Sequence, residues 1–242
     1  MYDSLRIAVV IPAFNTGARL DRTLESVPSW VDSVIVVDDG SDRPVVAEAA
    51  IHVRHERNLG VGATILSGYR AAAPVADVAV VMAADGQMAP EDLEALLAPI
   101  ASGAADYVKG DRLSHPDCPG VMPAVRRFGN CCLTFLTRFS AGLPGLMDSQ
   151  CGYTALRLSL LPALPLDWLY PRYGFPNDLL AAVSCAGGRV AQVRVRPVYQ
   201  GEGSGIRPWQ AALVYPFLLA RGPLLRRIAA RRAGRHPGEV PR

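Results

Sequence analysis

The chain has 242 residues, half of them hydrophobic, and a formal net charge of +3. That length and apolar content support one large or two small folded domains and argue against disorder anywhere but at the ends. The small charge gives no case for a nucleic-acid partner, and five cysteines without Cys-x-x-Cys spacing exclude a disulfide framework or a zinc site.

Arg6 to Ile11 is a β-branched run closed by Pro12, so the N-terminus reads as a strand and not as a signal peptide. Leu20, Leu24 and Val27 put a helical face on Ala18 to Val27. Val34 to Val37 is a short apolar strand followed by the turn "DDGSD". A short helix is expected over Val45 to Ala50 and a strand over Ile51 to Arg54. Val61 to Ala73 reads as a helix opened by the glycines of "NLGVGAT", and Val78 to Met82 as the fourth strand. Glu91 to Ile100 is a helix with Pro90 in its first turn. Tyr107 and Val108 begin a fifth strand. Apolar strands alternating with helices predict an α/β fold, a doubly wound and mainly parallel sheet covered on both faces.

The second half is less regular. "CPGVMPAVRRFGNCCLTFLTRFSAG" reads as a loop and an amphipathic helix, with Cys131 and Cys132 on a core helix. "LPGLMDSQCGYTALR" is a turn into a short strand, and "YGFPNDLLAAVSCAGG" a helix ended by glycines. Arg189 to Val198 alternates like a strand near an edge. No run is long enough to span a bilayer, but Trp209 to Ala220 is apolar and six arginines follow between Arg221 and Arg235. This tail, 206–242, suits an interfacial helix on anionic lipid; a tail folded onto the domain or a contact in an oligomer gives the same pattern. The remainder, 1–205, forms the other unit.

In doubly wound sheets, ligands bind beyond the carboxyl ends of the strands. Three polar clusters fall there: "PAFN", "DDGSD" and "ADGQ". Asp85, followed by Gly86 and Gln87, is either an Asx turn or a cation ligand that holds a diphosphate. Asp38 and Asp39 are either a solvated turn or carboxylates that bind a base N–H or a ribose hydroxyl.

The ordered set "VVIPAFNTGARLDRTLESV", "VIVVDDGSD", "NLGVGATILSGYRAA", "VVMAADGQMAPEDLEALL" and "YVKGDRL" resembles family 2 glycosyltransferases. The branch it resembles most is that of the dolichyl- and polyprenyl-phosphate mannosyl- and glucosyltransferases. "DSQCGYTALR", "GFPNDLL" and "VYQGEGSGI" extend the likeness, which covers roughly Arg6 to Ile206. The resemblance implies a GT-A fold, a nucleotide diphosphate-sugar donor, Mg²⁺ or Mn²⁺, and inversion at the anomeric carbon. It places Pro12, Phe14 and Asn15 beside the nucleotide, Asp39 on the base, and Asp85 with Gln87 on the metal. It places Arg112, Arg126 and Arg127 toward an acceptor phosphate, and Ser204 in the acceptor-binding "EGSG" segment. The family's Asp-x-Asp motif lacks its first acid here, where Ala83 stands.

Asp178 occupies the position of the base in relatives that use hydroxyl acceptors, and equally that of a helix N-terminal acid. Two acceptor classes therefore stay open, a lipid phosphate or a small molecule bearing a hydroxyl. A nucleotidyltransferase is disfavoured, because no Gly-rich activation loop follows the first strand. A non-catalytic nucleotide-sugar sensor is the remaining rival. The expected location is cytoplasmic, with peripheral contact at the inner face of the membrane.

Overall fold

The computed structural model describes residues 1–47, 50–199, 216, 217, 220–224 and 227. In chain order the elements are β1 (Ile7–Ala13), α1 (Ala18–Ser26), β2 (Ser33–Asp38), β3 (Ile51–Arg54), α2 (Val61–Ala72), β4 (Val78–Val81), α3 (Leu93–Ala101), β5 (Tyr107–Asp111), α4 (Cys118–Val121), α5 (Ala124–Ala141), β6 (Thr154–Arg157), α6 (Phe175–Cys185) and β7 (Val190–Arg194). A 3₁₀ turn, Pro90–Asp92, precedes α3 and takes over the start of the helix expected from Glu91. Val45 to Ala47 form no helix. The Val45 N–H donates to the Asp38 carboxylate at 3.3 Å, and residues 48 and 49 of the expected helix lie outside the described residues.

The sheet runs β3-β2-β1-β4-β6-β5-β7. Every pair is parallel except those made by β6, which runs antiparallel between β4 and β5. β7 lies at an edge, where the alternating arginine-rich segment was expected. β1 shows why the sheet is covered on both sides. Ala8 and Val10 face one core with Ile65, Leu66 and Tyr69 of α2, while Ile7, Val9 and Ile11 face another with Leu93, Leu96 and Leu97 of α3. Each such large apolar side chain contributes about 1.5–3 kcal/mol by leaving water. Gly68 lets α2 approach closely, since a Cβ there would lie 2.2 Å from Val10 Cγ1.

The carboxyl ends of β1, β2, β4 and β5 share one edge of the sheet. β6 runs the other way, so it brings its beginning to this edge: Val81 pairs with Thr154. Residues 150–153 thereby join the loops that follow the parallel strands.

Cys131 and Cys132 are exposed, not in the core. The buried residues of α5 are Thr134, Thr137, Ser140 and Ala141, and its Phe128, Phe135 and Phe139 face outward. α5 is amphipathic as expected, but with its apolar side out.

Candidate active site

Two adjoining cavities open at this edge, one of about 570 Å³ and one of about 250 Å³. They share a wall made by Pro12, Val61, Ala83, Asp85, Gln87, Arg126 and Tyr173. The larger extends toward Phe14, Asp39 and Arg172, and the smaller toward Arg112, Gln150 and Cys151.

Asp85 stands just beyond β4. Its Oδ1 accepts the Gln87 N–H at 2.9 Å, an Asx turn made possible by Gly86 at φ 72°. The turn does not exclude the ligand role, since the same carboxylate lines both cavities. Among the described residues no three His, Cys, Asp or Glu side chains converge on a metal site. The donor set is one carboxylate with the amide oxygen of Gln87 beside it. Hard oxygens in this number suit Mg²⁺ or Mn²⁺, which fill the rest of their shell with phosphate and water. Ala83 occupies the shared wall where a second acid is missing.

Asp39 is buried and lines the larger cavity. Its Oδ1 accepts the Leu59 N–H at 2.9 Å and lies 2.7 Å from His55 Nδ1, and its Oδ2 accepts the Gly60 N–H at 2.8 Å. His55 Nε2 in turn lies 2.9 Å from Ser67 Oγ. Asp38 has a different task. It accepts from the N–H groups of Ser41 and Val45 and pairs with Arg54. Burial works against its charge, but the Ser41 hydrogen bonds and these partners outweigh it and hold the carboxyl below its usual range. Of the adjacent acids, Asp38 braces the turn and Asp39 meets the cavity.

Asn15, at φ 51°, is tied to the same turn. Its N–H donates to Ser41 Oγ at 2.9 Å and its Nδ2 to Asp42 at 3.2 Å. It lines a neighbouring cavity with Ser41 and Asp42, next to Phe14 and Pro12 but apart from the shared wall.

The arginines separate. Arg112, half-buried, pairs with the fully buried Asp148, donating through Nε at 2.9 Å and Nη2 at 3.2 Å. Burial opposes the Asp148 charge, yet Arg112 outweighs it and holds this carboxyl below the usual range. Lys109 sits beneath the pair and donates to the Cys151 carbonyl at 2.5 Å, and its burial pushes its pKa down to about 8. Arg126 stacks over the Tyr199 ring at 4.7 Å and lines both cavities. Arg127, half-buried, lines neither.

Asp178 is buried at the start of α6 and lines neither cavity. Its Oδ2 accepts the Tyr170 N–H at 2.9 Å and lies 3.7 Å from Arg221. Burial pushes its pKa up to about 6 against the opposing effects of Tyr170 and Arg221. Ser204 lies outside the described residues, as does most of the expected tail. Sequence reasoning missed Arg172, which lines the larger cavity and donates to Asn58 Oδ1 at 3.2 Å, and His55 behind Asp39.

The model of the family described as Glycosyl transferase family 2 matches residues 8–163, more than half of the chain. The chain belongs to glycosyl transferase family 2. This family 2 glycosyltransferase is 29% identical over 222 residues to the UDP-N-acetylglucosamine–dolichyl-phosphate N-acetylglucosaminyltransferase of Methanococcus voltae, covering 82% of this chain and 88% of that one. It is 30% identical over 206 residues to the undecaprenyl-phosphate mannosyltransferase of Micrococcus luteus, covering 79% and 83%. Its fold is similar to that of glucosyl-3-phosphoglycerate synthase from Mycobacterium tuberculosis, solved with Mn²⁺, UDP and glucosyl-3-phosphoglycerate. That likeness has a TM-score of 0.66 at 21% identity and covers 96% of this chain and 81% of that one. The GT-A architecture expected from the motifs is thus the observed one.

Proposed function

We propose that this glycosyltransferase moves a sugar from a nucleotide diphosphate to a polyprenyl-phosphate-type lipid, with inversion at the anomeric carbon. The observation that carries the reading is Arg126, a cavity-facing guanidinium on the wall shared with Asp85. The relatives named for dolichyl- and undecaprenyl-phosphate support it.

The larger cavity holds the donor. Asp39 accepts from the base, Pro12 and Phe14 flank the nucleotide, and Arg172 faces the phosphates. Asp85, with Gln87, holds Mg²⁺ or Mn²⁺, which when bound neutralises charge on the departing diphosphate. The smaller cavity takes the acceptor head. Arg126 draws the acceptor phosphate to the shared wall by a charge-assisted contact. Arg112, neutralised by Asp148, shapes that cavity and adds hydrogen-bonding edge rather than net charge.

The reaction breaks the bond between the anomeric carbon and the diphosphate oxygen, and forms one to an acceptor phosphate oxygen on the opposite face. The acceptor oxygen is already anionic, so no proton has to leave it and no general base is required. That agrees with the placement of Asp178, whose carboxylate is committed to Tyr170 and lines neither cavity. A hydroxyl acceptor would need a base there. Because the lipid remains in the bilayer, the enzyme works peripherally at the cytoplasmic membrane surface.

The test is mass spectrometry after incubation with a panel of nucleotide sugars and Mg²⁺ or Mn²⁺, with and without polyprenyl phosphate. A glycosylated lipid phosphate is the expected product. Transfer only to soluble hydroxyl compounds would overturn the reading.

A further inference from the structure

α5 is built inside out. Its buried side carries Thr134, Thr137, Ser140 and Ala141. Those polar groups are engaged: Ser149 N–H donates to Thr134 Oγ1 at 3.0 Å, and Thr137 Oγ1 lies 3.2 Å from Asn177 Oδ1 on α6. The solvent side carries Val125, Phe128, Phe135, Leu136 and Phe139, with Val125 86% exposed, Phe128 72% and Phe139 68%. At 3.6 residues per turn these five positions fall within an arc of about 100°. Phe135 and Phe139 meet edge to face at 5.0 Å, an aromatic pair with water around it. A run of large aromatics on the outside of a helix whose polar side is inside is the signature of a covered surface.

We propose that this face of α5 is seated in an anionic lipid surface, so that the phenylalanines enter the acyl boundary beside the mouth of the acceptor cavity. The inference rests on the lipid-phosphate reading above and gives it a place on the molecule. Charge selects the occupant. From Cys118 to Met147 the sequence has no acid and has Arg126, Arg127 and Arg138. Aromatic side chains flanked by arginines without carboxylates match anionic headgroups over an acyl layer. A second copy fits less well. A two-fold contact would set this patch against itself and bring arginines together with no acid of the same run to offset them.

Continuity supports the same occupant. Gly222 lies against Ser140 so closely that a Cβ would meet it, so residues 220–224 abut the end of α5. Leu224 is exposed there, as is Phe217, on whose ring Arg221 stacks at 5.3 Å. At the other end of α5, Arg126 reaches the cavities. One helix therefore joins the apolar face to the site where an acceptor phosphate is held. A lipid whose chain stays among the phenylalanines presents its head to Arg126 without leaving the membrane.

The experiment is co-sedimentation of the full chain with phosphatidylcholine vesicles, with and without phosphatidylglycerol, at low and high salt. It is repeated for the triple variant Phe128→Ser, Phe135→Ser, Phe139→Ser. Melting temperature and calorimetric binding of UDP and GDP show that the variant is folded. The wild type is expected to sediment with the anionic vesicles and to be released by salt. The triple variant should lose at least about ten-fold in partitioning while keeping nucleotide binding. Equal partitioning of both proteins overturns the proposal, and so does a wild type that leaves anionic vesicles unbound. In the latter case sedimentation velocity assigns the face: a dimer that the triple variant dissolves gives it to a second copy, and a monomer gives it to the chain's own C-terminal segment. Transfer to lipid phosphate in detergent is scored separately. Its absence alongside lost vesicle binding in the variant would overturn the acceptor and leave the membrane face standing.

Discussion

The two halves of the site handle charge in opposite ways. On the proposed donor side the chain fixes carboxylates with its own backbone: Asp39 is held by the N–H groups of Leu59 and Gly60, and Asp85 by that of Gln87. On the proposed acceptor side it fixes arginines with buried counter-charge or an aromatic ring: Arg112 against Asp148, Arg126 over Tyr199. Acids at the strand ends suit groups that arrive as N–H donors, or a cation that accompanies a diphosphate. Arginines suit a group that arrives as a naked anion. The difference also shows that cationic side chains brought together by motif are not equivalent. Arg112 is spent on Asp148, and Arg126 alone of the three faces both cavities.

The most severe way to break the donor half is Asp85→Ala. Transfer should fall by at least about 100-fold, because charge on the leaving diphosphate loses its principal stabiliser. Calorimetry should show the metal-dependent part of nucleotide binding gone, and Gln87→Ala should be milder, since a neutral oxygen gives less than a carboxylate. Undiminished wild-type transfer in excess chelator would refute the metal assignment.

Next in size is the contrast among arginines. Arg126→Ala should raise acceptor KM about ten-fold with little change in donor KM, the loss expected for one charge-assisted contact. Arg127→Ala should lie close to wild type, although the family likeness gives it an equal claim. The reverse order in acceptor kinetics would mean that Arg127, not Arg126, meets the phosphate.

Asp39→Ala should weaken binding of the preferred nucleotide about ten-fold, the loss of one charged hydrogen bond. His55→Ala should give a smaller loss, with His55→Asn recovering part of it by returning an N–H donor near Oδ1. Unchanged affinity in Asp39→Ala would remove the base from this carboxylate.

The smallest effect on catalysis belongs to Asp178→Asn, which should leave transfer nearly unchanged and show itself in stability. The folded state raises the Asp178 pKa to about 6, so it holds a proton that the unfolded chain releases nearer the ordinary aspartate value of 3.8. Stability from this group is full below the lower value and is lost as pH rises through the upper one. The variant should therefore gain on the wild type in denaturant midpoint between about pH 4 and pH 6, with no further gain above. A dead enzyme of normal stability would instead mark Asp178 as a base and return the hydroxyl acceptor.

Much of this arrangement is legible in the residues. β1, β2 and β4 announce themselves as apolar runs, and the acids and amides after them had to gather once those strands were parallel. The direction of β6 was not legible, because four residues between loops carry no mark of orientation. Its reversal is what brings Gln150 and Cys151 to the smaller cavity. His55 was passed over because no ligand spacing surrounds it. It reaches Asp39 only because β3 pairs with β2 in the register that sets Arg54 opposite Asp38. Asp148 hid for a similar reason, 36 residues from the arginine it neutralises. The outward apolar side of α5 was not legible either. An apolar helical face predicts burial, but periodicity does not say what it is buried in.

Gly60 has a consequence that reaches across both halves. Its N–H is bound to Asp39, its φ of 104° suits glycine, and a Cβ there would lie 2.6 Å from the Pro171 carbonyl oxygen. The Ala63 N–H donates to that same carbonyl at 3.0 Å, and two residues on is Tyr173, on the wall shared by the cavities. The carboxylate proposed to read the base and the ring on the wall shared by the two cavities are thus joined through one turn of backbone. A nucleotide that shifts this turn changes the affinity for acceptor, and by linkage the acceptor changes the affinity for nucleotide by the same factor. Under that coupling the filling of one site is felt at the other whichever ligand arrives first, and the join that carries it is a residue with no side chain.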